Sequence, residues 1–149
     1  MTQPSLSERR QAIIDHAHKI GINDDYIDLL VENFYQRIRE HPILGPIFND
    51  AIGDNWPHHL AQMKNFWASV TMNMGRYSGQ PVPAHKKHLG SIQKWHFSIW
   101  LGLFGQTLDE TGATQEAKDY FMERAERIAE SLQLALFGLP SLQTKPSLD

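Results

Sequence analysis

The sequence predicts an all-α fold on three observations. Apolar residues recur at the 3.6-residue period of a helix in four long segments. No segment alternates polar and apolar residues for long, and no hairpin turn joins two strand-like runs. Residues that cap or break helices stand between the segments, among them Asn23, Pro42, Asp54, Gly75, Gly90, Thr114 and Gly138. At 149 residues the chain can bury a sizeable core as one domain.

The elements follow in order. Ser7 to Ile20 reads as a short helix with Ile13, Ile14 and Ala17 at helical spacing and Gly21 as its stop. Asn23 or Asp24 caps the next helix, whose stripe is Ile27, Leu30, Val31, Phe34 and Ile38, with Tyr35 beside it. That helix ends before His41-Pro42, because a residue preceding proline is pushed out of the helical region. The run from Pro42 to Phe48 is apolar and broken by Gly45 and Pro46, so tight turns rather than a long helix are expected. Asp54 or Asn55 starts a third long segment with Trp56, His59, Leu60, Met63, Phe66, Trp67, Val70 and Met74 on one face. Gly75 and Ser78-Gly79 interrupt the chain before a short helix around His85 that ends near Gly90. Ser91 caps a fourth long segment, with Ile92, Trp95 or His96, Phe97, Trp100, Leu101, Phe104 and Leu108 inward. Thr114 caps the last, with Ala117, Tyr120, Phe121, Ile128, Leu132, Ala135 and Leu136 inward. Residues 139–149 read as a disordered tail after the Gly138-Leu139-Pro140 stop.

Composition removes several functions. A net charge of −3 gives no reason to expect nucleic acid or an anionic membrane as partner. The absence of cysteine excludes disulfides, thiolate zinc sites, iron–sulfur clusters and thioether-linked haem. The polar start of the chain has no apolar core segment, so no secretory signal is expected. The longest apolar run, near Phe97 to Phe104, falls well short of the ~20 residues of a membrane span. A cytoplasmic protein is therefore expected.

Tyr35, His59 and Trp100 fall on the inward faces of three different helices, and His85 comes from a fourth, short one. No serine or cysteine stands with a base as a hydrolytic nucleophile would, and no pair of Glu-x-x-His motifs offers a two-metal site. One iron in a flat aromatic cofactor fits better: one histidine as axial ligand, with donors and aromatic rings walling the opposite face. The plainer alternatives stay open at this point. His59 can be a satisfied core histidine, Tyr35 and Trp100 ordinary core aromatics, and His85 and His88 solvated residues at a helix start.

Five motifs in order resemble the truncated haemoglobins, specifically their third group. They are Phe34-Tyr35; Pro42-x-Leu44-x-Pro46-Ile47-Phe48; Trp56-x-x-His59-x-x-x-Met63-x-x-Phe66-Trp67; Tyr77-x-Gly79-x-Pro81-x-x-x-His85; and His96-Phe97-x-x-Trp100-Leu101. The resemblance spans roughly residues 25 to 137. It implies a two-over-two helical sandwich around non-covalent haem b, with a globin domain over 23–138 and an N-terminal extension over 1–22. It makes His85 the proximal iron ligand, and the four-residue step from Pro81 favours His85 over His88. It places Tyr35 and Trp100 on the distal side as donors to bound dioxygen, and His59 at the distal gate. Phe48, Met63, Phe66 and Phe97 become cofactor contacts, and Arg76 and Tyr77 candidates for a propionate. The implied function is binding of dioxygen, nitric oxide or another diatomic ligand at a five-coordinate iron. The alternative is a haem enzyme, a nitric oxide dioxygenase or peroxidase, fed by a separate reductase, because the chain carries no flavin or nicotinamide motif.

Overall fold

The computed structural model describes residues 3–72 and 92–137. Among them are six α-helices and no strand: α1 (Leu6–Lys19), α2 (Asp24–Glu40), α3 (Leu44–Ile52), α4 (Trp56–Met72), α5 (Lys94–Glu110) and α6 (Gln115–Phe137). The expected all-α class holds. Helix α2 packs on α4 and α5 on α6, contact between α2 and α5 joins the two pairs, and α3 lies against both α2 and α5. The short helix expected around His85 and the C-terminal stop and tail lie outside the described residues.

Local chemistry sets the helix ends. Ser5 opens α1 through a reciprocal capping box: its hydroxyl accepts from the Glu8 N–H at 3.1 Å, and its own N–H donates to Glu8 Oε1 at 2.8 Å. Gly21, at φ +95°, closes α1 in the left-handed region, and the Ile22 N–H returns to the Ala17 carbonyl at 2.8 Å. The stripe read on α1 is only partly inward. Ala17 is buried and Ile14 half-buried, but Ile13 remains 40% exposed; among the described helices α1 packs chiefly on α4. Asn23 caps α2 by accepting from the Tyr26 N–H at 2.8 Å. Thr114 caps α6 by accepting from the Ala117 N–H at 3.0 Å, and donates its own proton to the Ile20 carbonyl at 2.6 Å. One hydroxyl thus ties the end of α1 to the start of α6.

The proline-punctuated corner departs from expectation by forming the nine-residue α3. Pro46 is its third residue, where the backbone N–H would have no intrahelical partner anyway, so proline costs no hydrogen bond. His41 is half-buried. Its Nδ1 accepts from the N–H groups of Ile43 (3.1 Å) and Leu44 (3.3 Å) and starts this helix. Gly45 closes the corner: a Cβ there would stand 2.6 Å from the Arg39 carbonyl oxygen, so α3 can approach α2 this closely only at glycine.

The core is an aromatic stack. Phe104 lies nearly parallel to Trp67 (centroids 5.1 Å apart, 17°) and to Trp100 (5.8 Å, 4°). Phe34 and Phe121 meet Phe104 edge-on at 5.0 and 6.2 Å. Helix α4 buries two faces. Trp67, Ala68, Thr71 and Met72 go into the core, whereas His59, Met63 and Phe66 are half-buried along a second face. The apolar stripe read from the sequence gave only part of this, because Ala68 and Thr71 carry no strong hydrophobic signal.

Candidate functional site

Five helices frame an apolar cavity of about 270 Å³. From α2 comes Tyr35, and from α3 come Ile47 and Phe48. The half-buried face of α4 supplies His59, Gln62, Met63 and Phe66. His96, Phe97 and Trp100 come from α5, and Ile128 and Leu132 of α6 complete the wall. The cavity therefore brings together Tyr35, Phe48, His59, Met63, Phe66, Phe97 and Trp100 of the site residues named from the sequence. Arg76, Tyr77, His85 and His88 lie outside the described residues.

Aromatic contacts fix the polar groups of this cavity. The Tyr35 ring meets His59 edge-on (5.0 Å, 88°) and Phe48 at a tilt (6.3 Å, 59°). Trp100 is backed by Phe104 and meets Phe34 at 5.6 Å and 73°. Phenol, indole and imidazole thus converge from α2, α5 and α4 on a space walled mostly by hydrocarbon and sulfur.

The sequence left open whether Trp95 or His96 points inward. Trp95 is 53% exposed, whereas His96 is 9% exposed and lines the cavity. Its Nδ1 accepts from the Gln93 N–H at 2.9 Å, one of the orphan donors at the start of α5. With Nδ1 an acceptor, the ring is the neutral tautomer with its proton on Nε2. The cap at this helix start is therefore Gln93 with His96; Ser91 lies outside the described residues. Gln62 was missed because a polar side chain interrupts the stripe. Its position three residues after His59 and four before Phe66 was the signal that could have found it.

Burial pulls the His96 pKa below its usual 6.5. The unfolded chain then takes up the proton first as pH falls. The contribution of this group to stability is full above the unfolded value and is lost as pH drops through the lower folded value. Thermal melts at about pH 7.5 and about pH 5.5 are expected to show a fall in midpoint on acidification that is smaller in His96→Gln. An identical fall in the variant would remove His96 as its source.

A second cleft, about 530 Å³, opens on the outer side of Tyr35 between α2 and α3, lined by Glu32, Arg39, Glu40 and Asn49 among others. Its charged, open walls do not suit a flat apolar group, whereas those of the smaller cavity do. The chemistry of the inner cavity fits haem: broad hydrocarbon walls, several N–H or O–H donors and no carboxylate among the described lining residues. Among the described residues no cluster of three His, Cys, Asp or Glu could hold a bare metal ion.

Comparison with known proteins agrees with the fold. The family model for bacterial-like globins matches residues 17–134. The group 3 truncated hemoglobin ctb of Campylobacter jejuni is 40% identical over 121 residues, covering 78% of this chain and 92% of that protein. The chain belongs to the bacterial-like globins, among the truncated haemoglobins of group III. The crystal structure of the group III truncated hemoglobin from Campylobacter jejuni aligns with this globin at a TM-score of 0.70 and 40% identity, over 78% of this chain and 92% of that one. The group II truncated hemoglobin from Bacillus anthracis aligns at a TM-score of 0.62 over 88% of this chain and 92% of that one. At 22% identity it supports the fold alone. Membership of the family implies haem-based ligand binding. No helix among the described residues of the globin is long and apolar enough to cross a membrane.

Proposed function

We propose that this globin holds haem b without covalent linkage in the cavity between α2, α4 and α5, with His85 as the proximal ligand of a five-coordinate iron. The domain holding it would span 23–138, with 1–22 an extension packed on it and 139–149 a tail. Bound haem supplies an iron that takes a diatomic ligand such as dioxygen or nitric oxide. The observation that carries the reading is the convergence of Tyr35, His59 and Trp100 on one apolar space. Tyr35 O–H and Trp100 N–H would donate to the outer atom of the ligand. Phe48, Met63, Phe66 and Phe97 would exclude water and pack on the porphyrin face. His59 would stand at the distal entrance, and Arg76 and Tyr77 would meet a propionate.

Two donors held in place by aromatic packing strengthen binding of a ligand that gains negative charge and so slow its release. Slow release suits chemistry on the bound ligand better than transport. That favours, as the second reading, a nitric oxide dioxygenase or peroxidase supplied with electrons by a separate reductase in the cytoplasm. Sustained turnover with an electron donor would separate this from simple binding.

The purified chain, reconstituted with haem, is expected to show a Soret band; its absence would reject both readings. Trp100→Phe and Tyr35→Phe are each expected to speed dioxygen release by about one to two orders of magnitude, since a hydrogen bond to a charged group is worth ~1.5–3 kcal/mol. Unchanged release in both variants by stopped flow would remove the donor role.

A further inference from the structure

The ring of His59 is held by a residue that the functional reading does not use. Trp56, one turn earlier on α4, is 5% exposed and meets the His59 ring edge-on at 5.5 Å and 90°. Tyr35 meets the same imidazole at 5.0 Å and 88°, and Trp56 and Tyr35 meet each other at 6.0 Å. The imidazole is thus gripped between two larger rings. The indole is itself anchored from two other helices. Its N–H donates to Asn49 Oδ1 on α3 at 3.1 Å, and the Arg39 guanidinium of α2 lies 4.5 Å from its ring centre. Any buried indole N–H needs an acceptor; here the acceptor and the cation over the ring face come from two other helices, so together they also fix the plane of the ring.

We propose that Trp56 is a positioning residue: anchored by Asn49 and Arg39, it sets the orientation of the His59 ring toward the cavity. Rotating the imidazole out of its present plane, or moving it to another side-chain rotamer, would lose both edge contacts together. Trp56 does not itself line the cavity, so its influence on a ligand passes through the two lining rings it touches, His59 and Tyr35, and the His59→Ala background separates the first route from the second. Its consequence for ligand entry rests on the haem reading above; the orientation of the ring does not.

The test uses the full chain as purified, with variants Trp56→Ala, Trp56→Phe and Asn49→Ala in the wild type and in a His59→Ala background. Two quantities are read: the NMR signals of the His59 ring, and the rate of carbon monoxide rebinding after photolysis. Trp56→Ala is expected to shift and broaden the His59 ring signals and to change rebinding about threefold or more, with Trp56→Phe recovering most of both effects. Asn49→Ala, which cuts the anchor but leaves the indole, is expected to give the same effects in weaker form, and answers the question should Trp56→Ala fail to fold. In the His59→Ala background the rebinding change is expected to vanish. Unmoved His59 signals in the folded Trp56 and Asn49 variants, or an equal rebinding change without His59, would overturn the proposal. A chain that lacks a Soret band would overturn the haem reading, while the His59 signals still decide this one.

Discussion

His85→Ala is expected to lose tightly held haem, with the Soret band of the purified globin falling to a small fraction of wild type and returning on addition of free imidazole. In a chain without cysteine, no thioether links to the porphyrin replace a lost axial ligand. What would remain is the apolar lining of Phe48, Met63, Phe66 and Phe97, which can pack on a flat hydrocarbon face but cannot ligate its iron. Rescue by imidazole distinguishes a missing ligand from a misfolded pocket. His88→Ala, three residues further on in the sequence, is expected to keep haem and ferrous spectrum unchanged. Should the effects be exchanged, the ligand is His88; should neither variant alter the spectrum, the proximal assignment falls altogether.

Phe104→Ala is expected to destabilise the fold by about 3–5 kcal/mol, as large-to-small changes at fully buried aromatics do. Phe104 is 0% exposed and is the one ring in contact with all of Phe34, Trp67, Trp100 and Phe121 among the described pairs. Its removal leaves a void between α2, α4, α5 and α6 that no single neighbour can fill without leaving its rotamer. A thermal midpoint lower by about 10 °C follows for a chain of this size. The effect should reach the cavity as well. Trp100 lies parallel to Phe104, so its indole loses its backing, and dioxygen release is expected to quicken in the folded fraction. Phe104→Leu, which keeps most of the volume, should cost far less. A midpoint within a degree or two of wild type in Phe104→Ala would show that the stack does not carry the core.

The stripe of α2 was fully legible: Ile27, Leu30, Val31, Phe34 and Ile38 are all buried, and Asn23 caps the helix as its side chain allows. The placement of Tyr35, His59 and Trp100 on inward faces could also be read, since each follows from spacing within one helix. The nature of α3 could not. Its proline and glycine read as breaks, but Pro46 falls where a helix has no N–H partner to lose, and Gly45 serves a close approach to the Arg39 carbonyl. Nor could the whole core face of α4 be read, because Ala68 and Thr71 are buried by a neighbour rather than by their own hydrophobicity.

By itself, then, the sequence determined which segments become helices, where most of them start, and which large side chains share a face. Those are properties of a 3.6-residue period and of backbone groups satisfied within a few residues. Tertiary structure alone decided that His96 turns in while Trp95 turns out. It also decided that Asn49 and Arg39 reach Trp56 and that Trp56 reaches His59. Those contacts depend on how α2, α3 and α4 meet, and no periodicity within one helix encodes which neighbour covers its other side.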